Sequence, residues 1–179
     1  MKLKISGGYL KNSNLIVPET TRPVKNIIKQ SLFSYLGNDL KEKKVLDLFA
    51  GSGNLGIEAI SRGAKFVTFV ENNYRAYKNI QENLVNLNLT DRAEVIRMDC
   101  LKFIGQASED YDLVFADPPY ETASKHFLKT VHIVVNSSKP EGILIYFHQN
   151  NLENKEIENM ELLETRTFGK SSYSVYKKT

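Results

Sequence analysis

Lys44-Val45-Leu46-Asp47-Leu48-Phe49-Ala50-Gly51-Ser52-Gly53-Asn54-Leu55-Gly56 is the stretch whose reading decides the fold. Val45–Phe49 is a short apolar run that stops at a glycine loop, and it reads as a buried strand. Gly51, Gly53 and Gly56 match the pattern G-x-G-x-x-G. The first two allow a tight turn and a close ligand approach, and the last allows a helix to pack on the sheet. The helix expected over 54–62 offers free N–H groups and a positive dipole end to a carboxylate or phosphate. A nucleotide-like ligand is therefore expected at this loop.

Downstream, Phe66–Val70 reads as the next strand and stops at Glu71, twenty positions after Gly51. A carboxylate there can accept both hydroxyls of a ribose. A long helix follows over Asn73–Leu87, with Tyr77, Ile80, Leu84 and Leu87 on one face. Then come a strand at Ala93–Arg97, a helical turn at Leu101–Ile104 and a strand at Leu113–Ala116. A helix at Ser124–Val135 and a strand at Gly142–Phe147, after Pro140, complete the alternation. Two extended runs, Glu161–Phe168 and Ser172–Lys177, meet at Gly169-Lys170 with no helix between them. Strands alternating with helices predict right-handed crossovers and a mainly parallel α/β sheet. The closing hairpin adds one antiparallel strand.

Upstream, Lys2–Ile5 and Asn14–Val17 read as a small hairpin. Thr21 can cap a helix with Arg22 and Pro23 in its opening positions. Ile27, Ile28, Ser31, Leu32 and Leu36 recur at helical spacing, and Gly37 can end that helix. No repeat or linker divides the 179 residues. The expectation is one domain, 1–179, with an extension at 1–37 and a core at 44–179.

Composition excludes several classes. Hydrophobic content is 41% and charged content 25%, ordinary for a globular protein. No apolar stretch approaches the roughly 20 residues needed to cross a bilayer, and the first six residues lack the apolar core of a signal peptide. One cysteine, Cys100, excludes an internal disulfide and suits a reducing cytoplasm. Three separated histidines and one cysteine form no zinc pattern, so no metal is expected. Residues 1–44 carry nine Lys/Arg against three acids, and the remainder carries 15 against 18. A basic amino-terminal segment on a mildly acidic core suits either a polyanion or a solvated surface.

Asp117-Pro118-Pro119-Tyr120 follows the strand that ends at Ala116. Ligands of open α/β sheets gather at such carboxyl ends. An exocyclic ring nitrogen is a poor nucleophile, because its lone pair is delocalised into the ring. It gains strength when acceptors hold its hydrogens, as Asp117 and the Pro118 carbonyl can. The two prolines stiffen that carbonyl, and Tyr120 can stack on an extruded base. Asp47 decides between nucleotides. A carboxylate just before the loop repels pyrophosphate and attracts an ammonium. S-adenosylmethionine (SAM) carries an ammonium, a sulfonium and a ribose. Asp47 as a loop-bracing acid and Asp99 as a simple cap of the following turn remain open readings. Cys100 has no evident partner base and reads as a small buried thiol.

The string Asp47 to Ala64, followed by Asp117 to Tyr120, resembles the bacterial 16S ribosomal RNA guanine-N2 methyltransferases of the RsmD type. Ser6-Gly7-Gly8, Arg22-Pro23 and Ser31-Leu32-Phe33 fit the same family. The resemblance implies a Rossmann-like, class I SAM-dependent methyltransferase. Its seven-stranded sheet would run 3-2-1-4-5-7-6, with strand 7 antiparallel. It implies SAM as donor and a guanine in 16S rRNA as acceptor, within a 30S subunit or an assembly intermediate. A cytoplasmic monomer, free of metal and membrane, completes the expectation. Asp47, Ala50, Gly51, Ser52, Gly53, Gly56, Glu71, Asn72, Asp99 and Cys100 would hold the cofactor. Asp117, Pro118, Pro119 and Tyr120 would carry catalysis, with Arg22 and Tyr120 on the substrate. Competing readings are an N6-adenine or other amino-group methyltransferase, a nicotinamide-dependent oxidoreductase and a non-catalytic RNA-binding factor.

Overall fold

The computed structural model describes residues 2–17, 24–37, 40–105, 111–119, 123–149 and 157–179. Strands β1 (Lys2–Lys4) and β2 (Asn14–Ile16) form an antiparallel pair. The chain continues through α1 (Asn26–Leu36), β3 (Lys44–Leu48), α2 (Asn54–Ser61), β4 (Phe66–Glu71) and α3 (Tyr74–Asn86). Then follow β5 (Ala93–Arg97), a 3-10 turn at Cys100–Gly105, β6 (Tyr111–Ala116), α4 (Ala123–Ser137), β7 (Ser138–Gln149), β8 (Met160–Phe168) and β9 (Ser171–Lys178).

Seven strands form one sheet in the order β5-β4-β3-β6-β7-β9-β8. Counted from β3, this is 3-2-1-4-5-7-6, the expected order. The pairs β5/β4, β4/β3, β3/β6 and β6/β7 are parallel, and β9 runs antiparallel to both neighbours. Side chains alternate across the strands and build two cores. Val45, Val67, Phe69, Leu113, Phe115 and Ile145 pack with α1, α2 and α3. Leu46, Leu48, Val70, Val114, Ala116 and Tyr146 pack with Phe103 and α4 on the other face.

The register places the site. Leu48 pairs with Val70 on one side and Ala116 on the other. The next residues, Phe49, Glu71 and Asp117, therefore stand level at the carboxyl rim of three adjacent strands.

The hairpin is anchored by polar groups. Asn83 on α3 accepts from the Ile16 N–H at 2.9 Å and donates to the Ile16 carbonyl at 2.8 Å. Ser61 on α2 accepts from the Leu10 N–H and donates to the Gly7 carbonyl.

Two expectations need correction. The first helix starts at Asn26, and Lys25, its N-cap, makes no side-chain cap bond; Thr21, Arg22 and Pro23 lie outside the described residues. Its buried face is Ile28, Lys29, Leu32 and Phe33, whereas Ile27 is exposed. The helix is turned because Lys29 finds a buried partner, described below. Strand β7 begins at Ser138, ahead of Pro140, where Gly142 was the expected start. The register with β6 shifts between Tyr111 and Leu113, and Glu141 takes φ 67°. Pro140 falls in this irregular stretch, where its missing N–H costs no ladder bond.

Candidate active site

The loop after β3 takes the strained path its glycines allow. Gly51 has φ 55° and Gly53 φ 72°, and Phe49 is itself left-handed at 59°. Gly56 meets a different demand: a Cβ there would lie 2.3 Å from the Phe69 ring, so only glycine lets α2 seat on β4. Helix α2 starts at Asn54, aiming its first N–H groups at the loop.

Asp47 is buried below this turn, and its Oδ2 accepts from the Gly56 N–H at 2.9 Å. The loop-bracing role left open in the sequence is thus present in the geometry. Burial pushes its carboxyl well above the usual range; the Gly56 bond opposes that, and the charges of Asp117 and Glu71 add to it. Glu71 bridges the loop to α3. Its Oε2 accepts from the Gly51 N–H and its Oε1 from the Asn73 N–H, both at 2.7 Å. Each carboxylate oxygen keeps a further lone pair for an incoming hydroxyl. Asn73 caps α3 through the N–H groups of Arg75 and Ala76.

Ala50 and Ser52 are buried in the loop, and Asn72 is exposed beside Glu71. Asp99 is half-buried and accepts from the Leu101 N–H at 3.0 Å, the simple cap of the 3-10 turn. Cys100 accepts from the Phe49 N–H at 3.1 Å and lies 3.5 Å from the Val70 carbonyl. Burial pushes its thiol up to about 12, so it is an inert strut between strand ends rather than a nucleophile.

Asp117 is half-buried immediately past β6, Pro118 is buried and Pro119 exposed. Burial pushes the Asp117 carboxyl up to about 7. Tyr146, opposite Ala116 on β7, is a neighbour that the sequence reading missed. Burial raises its phenol, and the charge of Asp117 raises it further. Its place in the apolar run Ile143–Phe147, beside β6 in the strand order, was the available signal. Tyr120 and Arg22 lie outside the described residues.

Asp47, Glu71 and Asp117 thus come from three neighbouring strands, and Asp47 feels the charge of the other two. Among the described residues none of them pairs with a lysine or arginine, and no cluster of acids, histidines or cysteines is arranged to hold a metal. A strand rim with acids that pair with no lysine or arginine among the described residues disfavours pyrophosphate and favours a cationic ligand with hydroxyls. The ammonium, sulfonium and ribose of SAM fit that donor set.

Sheet order, loop and acids together define a Rossmann-like methyltransferase of the SAM-dependent class. The family described as "Conserved hypothetical protein 95" matches residues 3–177, and the chain belongs to it. It is 32% identical over 181 residues to the Ribosomal RNA small subunit methyltransferase D of Haemophilus influenzae, spanning 98% of this chain and 94% of that one. It is 33% identical to the protein of the same name from Buchnera aphidicola subsp. Baizongia pistaciae, spanning 97% and 91%. Among solved structures it is similar to the Escherichia coli protein yhhF, with TM-score 0.89, 25% identity and coverage of 99% and 98%. These are relatives of the kind the resemblance in the sequence indicated.

Proposed function

We propose that this protein transfers a methyl group from SAM to the exocyclic N2 of a guanine in small-subunit ribosomal RNA. One observation carries the proposal. The carboxylates of Asp47, Glu71 and Asp117 converge on the carboxyl rim, beside a left-handed glycine turn, and among the described residues no lysine or arginine pairs with them. Relatives named for small-subunit rRNA methylation support the acceptor.

When bound, SAM supplies a methyl group on a sulfonium, which leaves as a neutral thioether. The chain's residues do the rest. Asp47 and the first amides of α2 face the amino-acid end, and Glu71 faces the ribose. Ala50, Ser52 and Asn72 wall the same pocket, and Asp99 and Cys100 border the adenine side. Asp117 and the Pro118 carbonyl accept the hydrogens of the guanine amine, which directs its lone pair outward. Pro119 stiffens the turn, Tyr120 stacks on the base and Arg22 contacts the RNA backbone. The nitrogen–carbon bond forms as the sulfur–carbon bond breaks, and the amine proton passes toward Asp117 or water. Rate gain comes from alignment, with neither metal nor covalent intermediate.

The chain acts as one unit, 1–179, with the extension 1–37 presenting RNA to the core 44–179. The acceptor base is displayed by a 30S subunit or assembly particle to a cytoplasmic monomer. No described helix is long and apolar enough to cross a membrane.

The test is transfer of tritiated methyl from SAM to 30S subunits, assembly particles and naked 16S rRNA, followed by nucleoside analysis. N2-methylguanosine is the expected product. N6-methyladenosine would replace the acceptor, and no transfer to any RNA would reject the function.

A further inference from the structure

Lys29 on α1 is fully buried, and so is Glu58 on α2. The Lys29 Nζ lies 2.9 Å from Glu58 Oε2 and donates to Asn54 Oδ1 at 3.0 Å and to the Lys4 carbonyl at 3.2 Å. An ammonium has three donors, and three acceptors meet them. Glu58 also accepts from the Ser6 N–H and hydroxyl at 2.9 and 2.8 Å, and from Arg62 Nε at 3.0 Å. One network therefore ties the hairpin, α1 and α2 together.

Stability alone is a poor account of this network, because a buried ion pair replaced by well-packed apolar residues often leaves a protein equally stable or more so. What such a network can do is specify one arrangement of parts. The part it specifies here is informative. Asn54 is the first residue of α2 and follows Gly53, the left-handed turn of the cofactor loop. Its Oδ1 is taken by Lys29, while its buried Nδ2 has no partner among the described residues. The side chain is thus held from one end only, and Lys29 is what holds it.

We propose that Lys29 is a positioning residue for the cofactor: through Asn54 it fixes the first turn of α2 and so couples the amino-terminal extension to SAM affinity. This rests on the SAM reading above. The coupling is reciprocal, so a contact that orders the extension also tightens the cofactor site.

The test uses the full chain with S-adenosylhomocysteine as probe in calorimetry, beside Tm and amide exchange of residues 50–57 in the unliganded protein. The paired variant Lys29→Met with Glu58→Met is expected to fold with a lower Tm, because Ser6 and Arg62 lose Glu58 as acceptor, and at temperatures below that Tm to raise Kd about tenfold and speed exchange in the loop. At saturating SAM its kcat stays within about twofold while KM rises, and Lys29→Arg, which keeps charge and donors, restores most of the affinity. Should the pair fail to fold, Asn54→Ala reads the same route, with Kd expected to rise about fivefold at nearly unchanged Tm. Parent-like Kd and parent-like loop exchange in the variant that folds would overturn the proposal. If the parent itself ignores the probe, the SAM reading falls, and loop exchange still decides whether Lys29 orders the turn.

Discussion

Glu58 and Asp47 are both carboxylates shut away from water on the same side of the sheet, yet their acidities move in opposite directions. Burial works to raise both. At Glu58 it is overcome by the Ser6 N–H, the Lys29 charge and further hydrogen bonds, and the carboxyl ends below its usual range. At Asp47 a single amide bond opposes burial, two further acids reinforce it, and the carboxyl ends well above its usual range. The difference lies in where the counter-charge comes from. Glu58 receives its cations from α1 and its own helix. The cleft acids receive none from the described chain, which leaves the cation to the ligand. A stability cost among the rim acids is thus the counterpart of affinity, as is common where function and stability compete.

The comparison breaks first if the cleft acids prove merely structural. Asp117→Ala is expected to lower kcat by a factor of about a hundred to a thousand, the scale set by removing a group that acts at the transition state. Kd for S-adenosylhomocysteine should stay within about threefold. Loss of probe binding in calorimetry would move Asp117 into the cofactor site instead. On the structural side, Glu58→Gln removes one member of a buried pair and should cost about 3 kcal/mol, read from the urea midpoint. An unchanged midpoint would show that Lys29 is satisfied without its carboxylate.

Much of this was legible in the chain. The strand–helix alternation and the hairpin without a helix gave a mainly parallel sheet with one antiparallel strand, because each depends on local pattern; the strand order itself came from the family resemblance. Glu71 and Asp117 were found because they follow apolar runs at strand ends. Lys29 was hidden for the opposite reason: it sits among surface bases and was counted with them. Yet Glu58 offered a signal. Helix α2 is buried along its whole length, and an acid in such a helix requires a buried partner. Periodicity also favoured Ile27 over Lys29 for the packed face of α1, since a pattern of hydrophobicity cannot see an ion pair. The bulge at Pro140 was not legible either, because it depends on register with a distant strand.

Asp47→Asn tests the other arm. Asparagine can still accept from the Gly56 N–H while carrying no charge among the other acids. The unliganded variant should be more stable by about 1 kcal/mol, raising Tm by roughly 2–4 °C. SAM affinity should fall about tenfold or more, because the ammonium loses its counter-charge. Opposite signs for Glu58→Gln and Asp47→Asn in stability would sharpen the contrast; equal signs would erase it.

The pH dependence is the last test, and its sign separates the two regions. Asp117 is held near 7 in the folded chain against an ordinary 3.8. Between those values the unfolded chain has released this proton and the folded chain keeps it, so rising pH favours unfolding across that window. Glu58, held below its usual 4.5, does the reverse: its contribution is present above that value and is lost as pH falls through the lowered one. Thermal melts from pH 3 to 8 should therefore show stability lost in acid through Glu58 and a decline toward neutrality through Asp117. Asp117→Asn should remove part of the upper decline and leave the acid limb in place. Methyl transfer runs the other way, because the acceptor must be ionised: kcat/KM should climb up to about tenfold per unit below pH 7 and level above it. A profile flat through pH 7 in the parent would mean that Asp117 does not act as an ionised acceptor.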